Sequence, residues 1–481
     1  MTHPTFILNG EARDTGSLGT LPLMDPATET EIAQIPKAGR AEAIEAARLA
    51  AEGFAEWSAV SPFERSKILR AAAAIMREEA EAAAADMTRE QGKPLAQARG
   101  EWMVSADCLE WFAEEGRRTY GRLVPSRAAN MTWAVHQRPV GPVAAFTPWN
   151  FPAFTPMQKL APALAAGCSV VLKPAEETPM TAWRICRALL DAGLPPKAIG
   201  LIWGDPAEIS DTLIKAPEIR KISLTGSIRV GRLLASAASH ELKKVTMELG
   251  GHAPVIVARD ADLSQLVPLA AEWKFRNTGQ VCVSPTRFLV ETPLYDDFVA
   301  GMAEAAAKIT VGNGADPKTA MGPLTTAAQL TKVQGLYDDA VAKGARVAAG
   351  GQRIGNQGWF FAPTVLADMT ADMRAMNEEP FGPLALVAKV DNIDAALAEA
   401  NRLPVGLASY AFTENSRTRH RIASGIKAGM LGVNHFALAM PETPFGGVLD
   451  SGMGSEGGIE GISAYLTPFL ITARESAWNL E

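Results

Sequence analysis

Between residues 142 and 249 the sequence switches five times between a short apolar run and a stretch of helical spacing. The runs are PVAAFT (142–147), SVVL (169–172), IGLIW (199–203), KISL (221–224) and Val245–Met247. Helical spacing continues through Leu164 and covers Thr181–Ala192, Ala207–Lys215 and Val230–Ser239. Continuous apolar strands separated by helices predict a parallel sheet covered on both faces and wound right-handed. Small, polar and charged residues follow each run: Pro148-Trp149-Asn150, Lys173-Pro174-Ala175-Glu176, Gly204-Asp205, Thr225-Gly226-Ser227 and Glu248-Leu249-Gly250-Gly251. Open α/β sheets bind ligands at the carboxyl ends of their strands, so a site is expected there.

At 481 residues the chain is long enough for about three domains. Arg40 to Gly116 reads as helical. Ile44, Ala47, Ala51, Phe54 and Trp57 mark one apolar face, and Ile68, Leu69, Ala72, Ile75 and Met76 mark the next. Ser61-Pro62 breaks the two, and a third helix is predicted over Trp102–Gly116. A second α/β unit runs from Gly251 to Phe445, with strands at Pro254–Ala258, Arg287–Val290 and Leu384–Val390. Its helices are predicted near Asp296–Ile309, Ala327–Gly344 and Asn392–Asn401. Beyond it, PFGGVLDSGMGSEGG reads as turns, and Tyr465–Arg474 as an extended strand. With Met131–Pro139, that strand predicts a sheet that pairs with another chain.

Forty-six Lys and Arg against 53 Asp and Glu give a net charge of −7, so nucleic acid is not the expected partner. The four cysteines form no CxxC pair, which excludes a disulfide scaffold and fits a reducing compartment. The N-terminal residues lack the features of a secretory signal, and the run Leu160–Leu172 is too short to span a membrane. A soluble, cytoplasmic protein is expected.

Cys108 and Cys186 lie on apolar helical stripes and Cys168 precedes a buried strand, the settings of inert filler. Cys282 instead follows a glycine-containing turn, which can present a sulfur to a cleft beside backbone amides. Glu248 ends a buried strand. It is either a solvated strand end or, between Met247 and Leu249, a carboxylate raised toward the range of a general base. Asn150 either caps the following helix or donates to a developing oxyanion. Lys173 and Glu176 suit ribose hydroxyls, and Gly226-Ser227 with Gly231 opens a helix as a pyrophosphate site does, without being the G-x-G-x-x-G fingerprint. His240, His252, His420 and His435 have no metal-ligand spacing, and no metal is assigned.

FTPWNFP (146–152), KPAEETP (173–179), TGS with a following glycine (225–231), MELGG (247–251), NTGQVC (277–282), NEEPFGP (377–383) and PFGG (444–447) occur in that order. The series resembles the aldehyde dehydrogenase superfamily over nearly the whole chain. The resemblance implies a Rossmann-like cofactor domain (1–120 and 141–250), an α/β catalytic domain (251–445) and a small β extension for oligomerisation (121–140 and 464–481). It implies Cys282 as nucleophile, Asn150 and the Cys282 amide as oxyanion hole, and Glu248 as the base that activates hydrolytic water. Lys173 and Glu176 would meet the adenosine ribose and Ser227, beside Gly226, the pyrophosphate. Glu379 and Phe381, with Trp149, would border the nicotinamide. NAD is the expected cofactor, because Glu176 would repel a 2′-phosphate, with NADP as the alternative. A dimer or tetramer is expected.

CLEWFAEEGRRTYGR (108–122), KFRNTGQVC (274–282) and SEGGIEG (455–461) are similar to the succinate-semialdehyde and α-ketoglutarate-semialdehyde dehydrogenase branch. There an arginine matching Arg276 holds the substrate's distal carboxylate, a role suited to a guanidinium. The branch's second arginine is replaced by Gln158 and its serine by Met440; Ser284 stands where some relatives carry a second cysteine. The expected substrate is an ω-carboxy semialdehyde. A broad-specificity aldehyde dehydrogenase is the rival within enzymes. From another class, the rival is a non-catalytic oligomeric binding protein, against which Cys282, Glu248 and Asn150 argue together.

Overall fold

A computed structural model describes residues 3–474. Its helical layer has four helices where the periodicity predicts three: α1 (Arg40–Ser58), α2 (Pro62–Glu78), α3 (Ala80–Gln91) and α4 (Leu95–Glu115). Ser61 caps α2, its Oγ accepting from the Glu64 amide at 3.2 Å, and Pro62 takes the first turn. The apolar face of α1 differs from the sequence reading. Ile44 is exposed at 52%, while Ala43, Ala46, Ala47, Ala50, Gly53 and Trp57 face the core. Close approach explains the shift: a Cβ on Gly53 would lie 2.1 Å from the Lys197 carbonyl oxygen, so small residues take the contact.

The next stretch alternates as expected: β1 (Val143–Phe146), α5 (Phe154–Ala166), β2 (Val170–Lys173), α6 (Pro179–Asp191), β3 (Ile199–Leu201), α7 (Pro206–Lys215), β4 (Lys221–Gly226), α8 (Ile228–His240) and β5 (Lys244–Leu249). The strands are parallel in the order β3-β2-β1-β4-β5. Successive strands step away from β1 on one side, then the chain returns to place β4 on the other. The crevice of such a sheet opens at this switch, between the ends of β1 and β4. Gly231 lets α8 seat on β5, since a Cβ there would come within 2.3 Å of the Leu249 side chain.

The second unit contains β6 (Pro254–Val257), α9 (Leu263–Phe275), β7 (Arg287–Glu291), α10 (Tyr295–Ala307), α11 (Ala327–Ala342), β8 (Arg346–Ala349), β9 (Thr364–Ala367), β10 (Leu384–Val390), α12 (Ile393–Ala400), β11 (Ala408–Phe412) and β12 (Met430–Val433). Its sheet order is β8-β9-β10-β7-β6-β11-β12, parallel except for the edge pair β8-β9. Residues between Phe6 and Leu249, joined by Ile462 and Tyr465, bury one core. Residues between Ala253 and Phe445 bury the other apolar clusters.

The glycine-dense segment is more than turns. Its β13 (Gly452–Met453) pairs antiparallel with β5, setting Gly452 opposite Glu248, and α13 (Gly458–Ser463) packs on α4 and α5. The last strand, β14 (Leu466–Arg474), pairs antiparallel along Met131–Pro139, which also takes Arg122–Val124. Phe469, Leu470 and Ile471 are exposed on this edge. The remainder of the expected 464–481 strand segment, residues 475–481, lies outside the described residues. No helix among the described residues is long and apolar enough to cross a membrane.

Candidate active site

Cys282 follows three consecutive left-handed residues. After α9 the backbone takes φ of +48° at Asn277, +56° at Thr278 and +70° at Gly279. Two of these carry side chains that make the conformation costly, so surrounding bonds must fix it. Asn277 N–H donates to Gln97 Oε1 at 2.8 Å, and Asn277 Nδ2 donates to the Asn150 carbonyl at 2.9 Å. Thr278 Oγ1 donates to the Gly322 carbonyl at 2.9 Å. Gly279 touches backbone, because a Cβ would lie 2.1 Å from the Gly382 oxygen. The turn delivers a partly buried sulfur to a cleft of about 1350 Å³. Burial, followed by the carboxyl groups of Glu379 and Glu248, pushes the thiol up to about 12, while the Val283 and Cys282 amides pull it down. The other cysteines are buried, and burial raises each of their thiols.

Asn150 does not cap α5. The N-cap position is Ala153, and the Ala153 and Phe154 amides donate to Glu101 Oε1 at 2.8 and 3.2 Å. Glu101 is ion-paired to Lys93, whose Nζ donates to the Asn150 carbonyl at 2.8 Å. Asn150 Nδ2 donates to the Gln280 carbonyl at 3.0 Å, two residues before the sulfur, and Oδ1 is buried without a partner among the described residues. One N–H of the amide therefore orients it and the other remains available. Sequence reasoning missed Lys93 and Glu101. Glu101 lies one turn from Ala98 and from Ser105 on the buried face of α4, a misplaced charge that was the available signal.

Glu248 is 2% exposed, and neither carboxylate oxygen has a hydrogen-bond partner among the described residues. Burial raises its pKa well above the carboxylate range, and Glu456 adds to the shift. Glu456 is ion-paired to Lys159, which also donates to Thr225 Oγ1 at 2.7 Å. These neighbours were likewise missed, although Lys159 stands inside a helix whose every residue is buried.

The crest of the first sheet suits a dinucleotide. Lys173 Nζ pairs with Glu176 Oε1 at 2.5 Å, and that oxygen also accepts from the Gly204 amide at 3.2 Å. Ser227 Oγ accepts from the Val230 amide at 3.3 Å, capping α8 while keeping its O–H free to donate. Thr147 Oγ1, just past β1, is buried without a partner among the described residues. Glu379 Oε2 would touch a Cβ on Gly250 at 2.7 Å, and burial lifts its carboxyl to about 7. Trp149 meets Phe381 edge-on at 5.5 Å, and Gln329 Nε2 donates to the carbonyls of Pro380 and Phe381 at 2.9 and 2.8 Å.

Arg276 lines the same cleft as Cys282. Its guanidinium stacks on Trp273 at 4.3 Å, and burial lowers its pKa. Among the described residues it has no hydrogen bond and no ion pair. Gln158, 4% exposed, reaches the cleft from α5 without a side-chain hydrogen bond to any described residue. Met440 lines the cleft from an exposed position.

The aldehyde dehydrogenase family model matches residues 13–469. The chain is 44% identical over 463 residues to the 4-(hydroxymethyl)benzenesulfonate dehydrogenase of Comamonas testosteroni, covering 96% of each. It is 42% identical over 447 residues to the 3-sulfolactaldehyde dehydrogenase of Pseudomonas putida, covering 93% of this chain and 92% of that one. The crystal structure of succinate-semialdehyde dehydrogenase from Burkholderia pseudomallei superposes with a TM-score of 0.97 at 39% identity, covering 98% of each chain.

Proposed function

The chain belongs to the aldehyde dehydrogenase family and is an NAD(P)-dependent oxidoreductase, and we propose that it oxidises aldehydes bearing an anionic group at their far end. An ω-carboxy semialdehyde such as succinate semialdehyde is the reference substrate. The observation that carries this reading is Arg276, whose guanidinium lines the cleft that holds Cys282 and forms no ion pair among the described residues. A buried charge is stable only when paired, and a substrate anion supplies the pair. The relatives support the same feature, since their named substrates include sulfonated and carboxylated compounds.

Cys282 Sγ attacks the aldehyde carbon. As the C–S bond forms, the carbonyl oxygen becomes an oxyanion received by the free N–H of Asn150 Nδ2 and the Cys282 amide. The thiol's proton, which burial keeps in place at rest, passes to water in the cleft as the sulfur attacks. NAD(P)+, when bound, supplies the acceptor for the hydride that converts the thiohemiacetal to a thioester. Lys173, Glu176 and Ser227 would hold the cofactor's ribose and pyrophosphate, and Glu379 and Phe381 its nicotinamide end. The Glu176 carboxylate disfavours a 2′-phosphate, which supports NAD over NADP. Glu248 then takes a proton from water as that water attacks the thioester carbon, and the C–S bond breaks to release the acid. The working assembly is a soluble cytoplasmic homo-oligomer joined through β14.

The test compares kcat/KM for succinate semialdehyde and butanal. An advantage of about 100-fold for the acid, lost in Arg276→Met, is expected from a charge-assisted pair. Equal values in the unmodified enzyme overturn the acidic-substrate reading. NADH production vanishes in Cys282→Ala with cofactor binding intact; persistence of turnover overturns the catalytic assignment.

A further inference from the structure

Asn150 follows β1 of the first sheet, whereas Cys282 lies in the second unit, so their alignment has to be held across the boundary between units. A closed ring of hydrogen bonds starts and finishes at Asn150 and crosses that boundary twice. Lys93 Nζ donates to the Asn150 carbonyl, and the Lys93 amide donates to Gln91 Oε1 at 3.0 Å. Gln91 Nε2 donates to Thr325 Oγ1 at 3.0 Å, and that hydroxyl donates in turn to the Gln91 carbonyl at 2.9 Å. The Thr325 amide donates to Gln280 Oε1 at 3.0 Å, and the Gln280 carbonyl accepts from Asn150 Nδ2. Gln91 and Gln280 are 0% exposed and Thr325 3%, so water does not replace a lost partner cheaply.

The backbones under the ring touch. A Cβ on Gly322 would lie 2.0 Å from the Gly92 oxygen, which leaves no room for any side chain there. Thr278 Oγ1 donates to the Gly322 carbonyl, so the left-handed turn before Cys282 is tied to the same contact. Gln280 Nε2 donates to the Asn277 carbonyl at 3.2 Å, and its side chain thus spans from Thr325 back to that turn. An oxyanion is stabilised only by donors already set at the position it will take. The ring grips Asn150 at both its carbonyl and its side-chain amide, and it refers both to the segment that carries the second donor, the Cys282 amide.

Resting on the assignment of Asn150 and Cys282 to the oxyanion hole, we infer that Gln91, Thr325 and Gln280 are positioning residues that set the Asn150 amide against the Cys282 turn. None of the three is among the residues lining the cleft, so they act through Asn150 and the turn.

Single-turnover mixing, with NAD+ and saturating enzyme in excess over aldehyde, tests this. It reads NADH formation apart from thioester hydrolysis, and at saturation the rate does not depend on the folded fraction. Butanal and succinate semialdehyde are both used, which makes the result independent of Arg276. Thr325→Val keeps the side-chain shape and removes the hydroxyl, and it is expected to slow the rate about tenfold. Thr325→Ser restores the hydroxyl and stays within about twofold of wild type. Gln91→Met removes both ends of the Gln91 amide, slows the rate at least as much, and carries the comparison if Thr325→Val does not fold. NAD+ affinity, followed by protein fluorescence, is unchanged in each. A staple for the fold alone would lower Tm and leave the single-turnover rate at the wild-type value. That result, or a Thr325→Ser rate as slow as that of Thr325→Val, overturns the inference. Asn150→Ala turning over at the wild-type rate would instead overturn the oxyanion assignment beneath it.

Discussion

A cysteine whose thiol is pushed up to about 12 and a carboxyl group raised by burial define opposite demands at one site. The sulfur must lose a proton to attack, and Glu248 must already have lost one to accept another from water. A raised carboxyl pKa keeps the base protonated at low pH and frees it as pH rises. The hydrolytic step therefore accelerates with pH until Glu248 is ionised. In Glu248→Gln, rapid mixing is expected to give one equivalent of NADH followed by turnover slowed about 100-fold or more, with the pH dependence of the slow phase removed. An unaltered slow phase would show that another group activates the water. At this scale Cys282 stood out because it follows a glycine-containing turn, and Asn150 and Glu248 because they follow apolar runs, while the roles expected of them came from the ordered motif series. Lys93, Glu101, Lys159 and Glu456 were harder, because a charge in a helix reads as solvent-facing until its buried partner is known.

Among the elements, α4 does the least obvious work. Its Glu101 joins the Lys93 ammonium to the first amides of α5, and Lys93 in turn grips the Asn150 carbonyl. Removing one member of a buried pair leaves the other uncompensated, so Lys93→Met is expected to destabilise the fold by about 3–5 kcal/mol in urea denaturation. Lys93→Met/Glu101→Met should recover much of that loss. A single-variant cost below about 1 kcal/mol would mean that the pair is dispensable. The alternating strands and helices from β1 to β5 were readable because each strand is buried on both faces and each helix keeps one apolar side. Helix α1 was misread at Ile44 because alanine and glycine make its closest contacts, and such residues leave little trace in a hydropathy pattern. The pairing of Gly452 with Glu248 could not be read locally, since its two halves are remote in sequence.

At the scale of the molecule, the apolar clusters of the two units flank a cleft, and a three-stranded sheet projects β14 as an edge with Leu470 59% exposed. An apolar strand edge is open to a complement, and the proposed assembly covers it with a second copy of the chain. Leu470→Lys, placing a charge on that edge, is expected to lower the mass seen by light scattering; an unchanged mass would assign assembly to another surface.

The return of residues 451–456 to the first sheet governs when activity can begin. Ser451 Oγ donates to the Gly250 carbonyl and accepts from the Gly406 amide, and Glu456 meets Lys159 far upstream. A growing polypeptide thus completes the surroundings of Glu248 only when residues 451–456 have emerged, long after Glu248 itself. Helices and parallel strands can collapse on the ribosome, but a nascent chain halted before these residues is catalytically unfinished, a built-in delay between translation and chemistry.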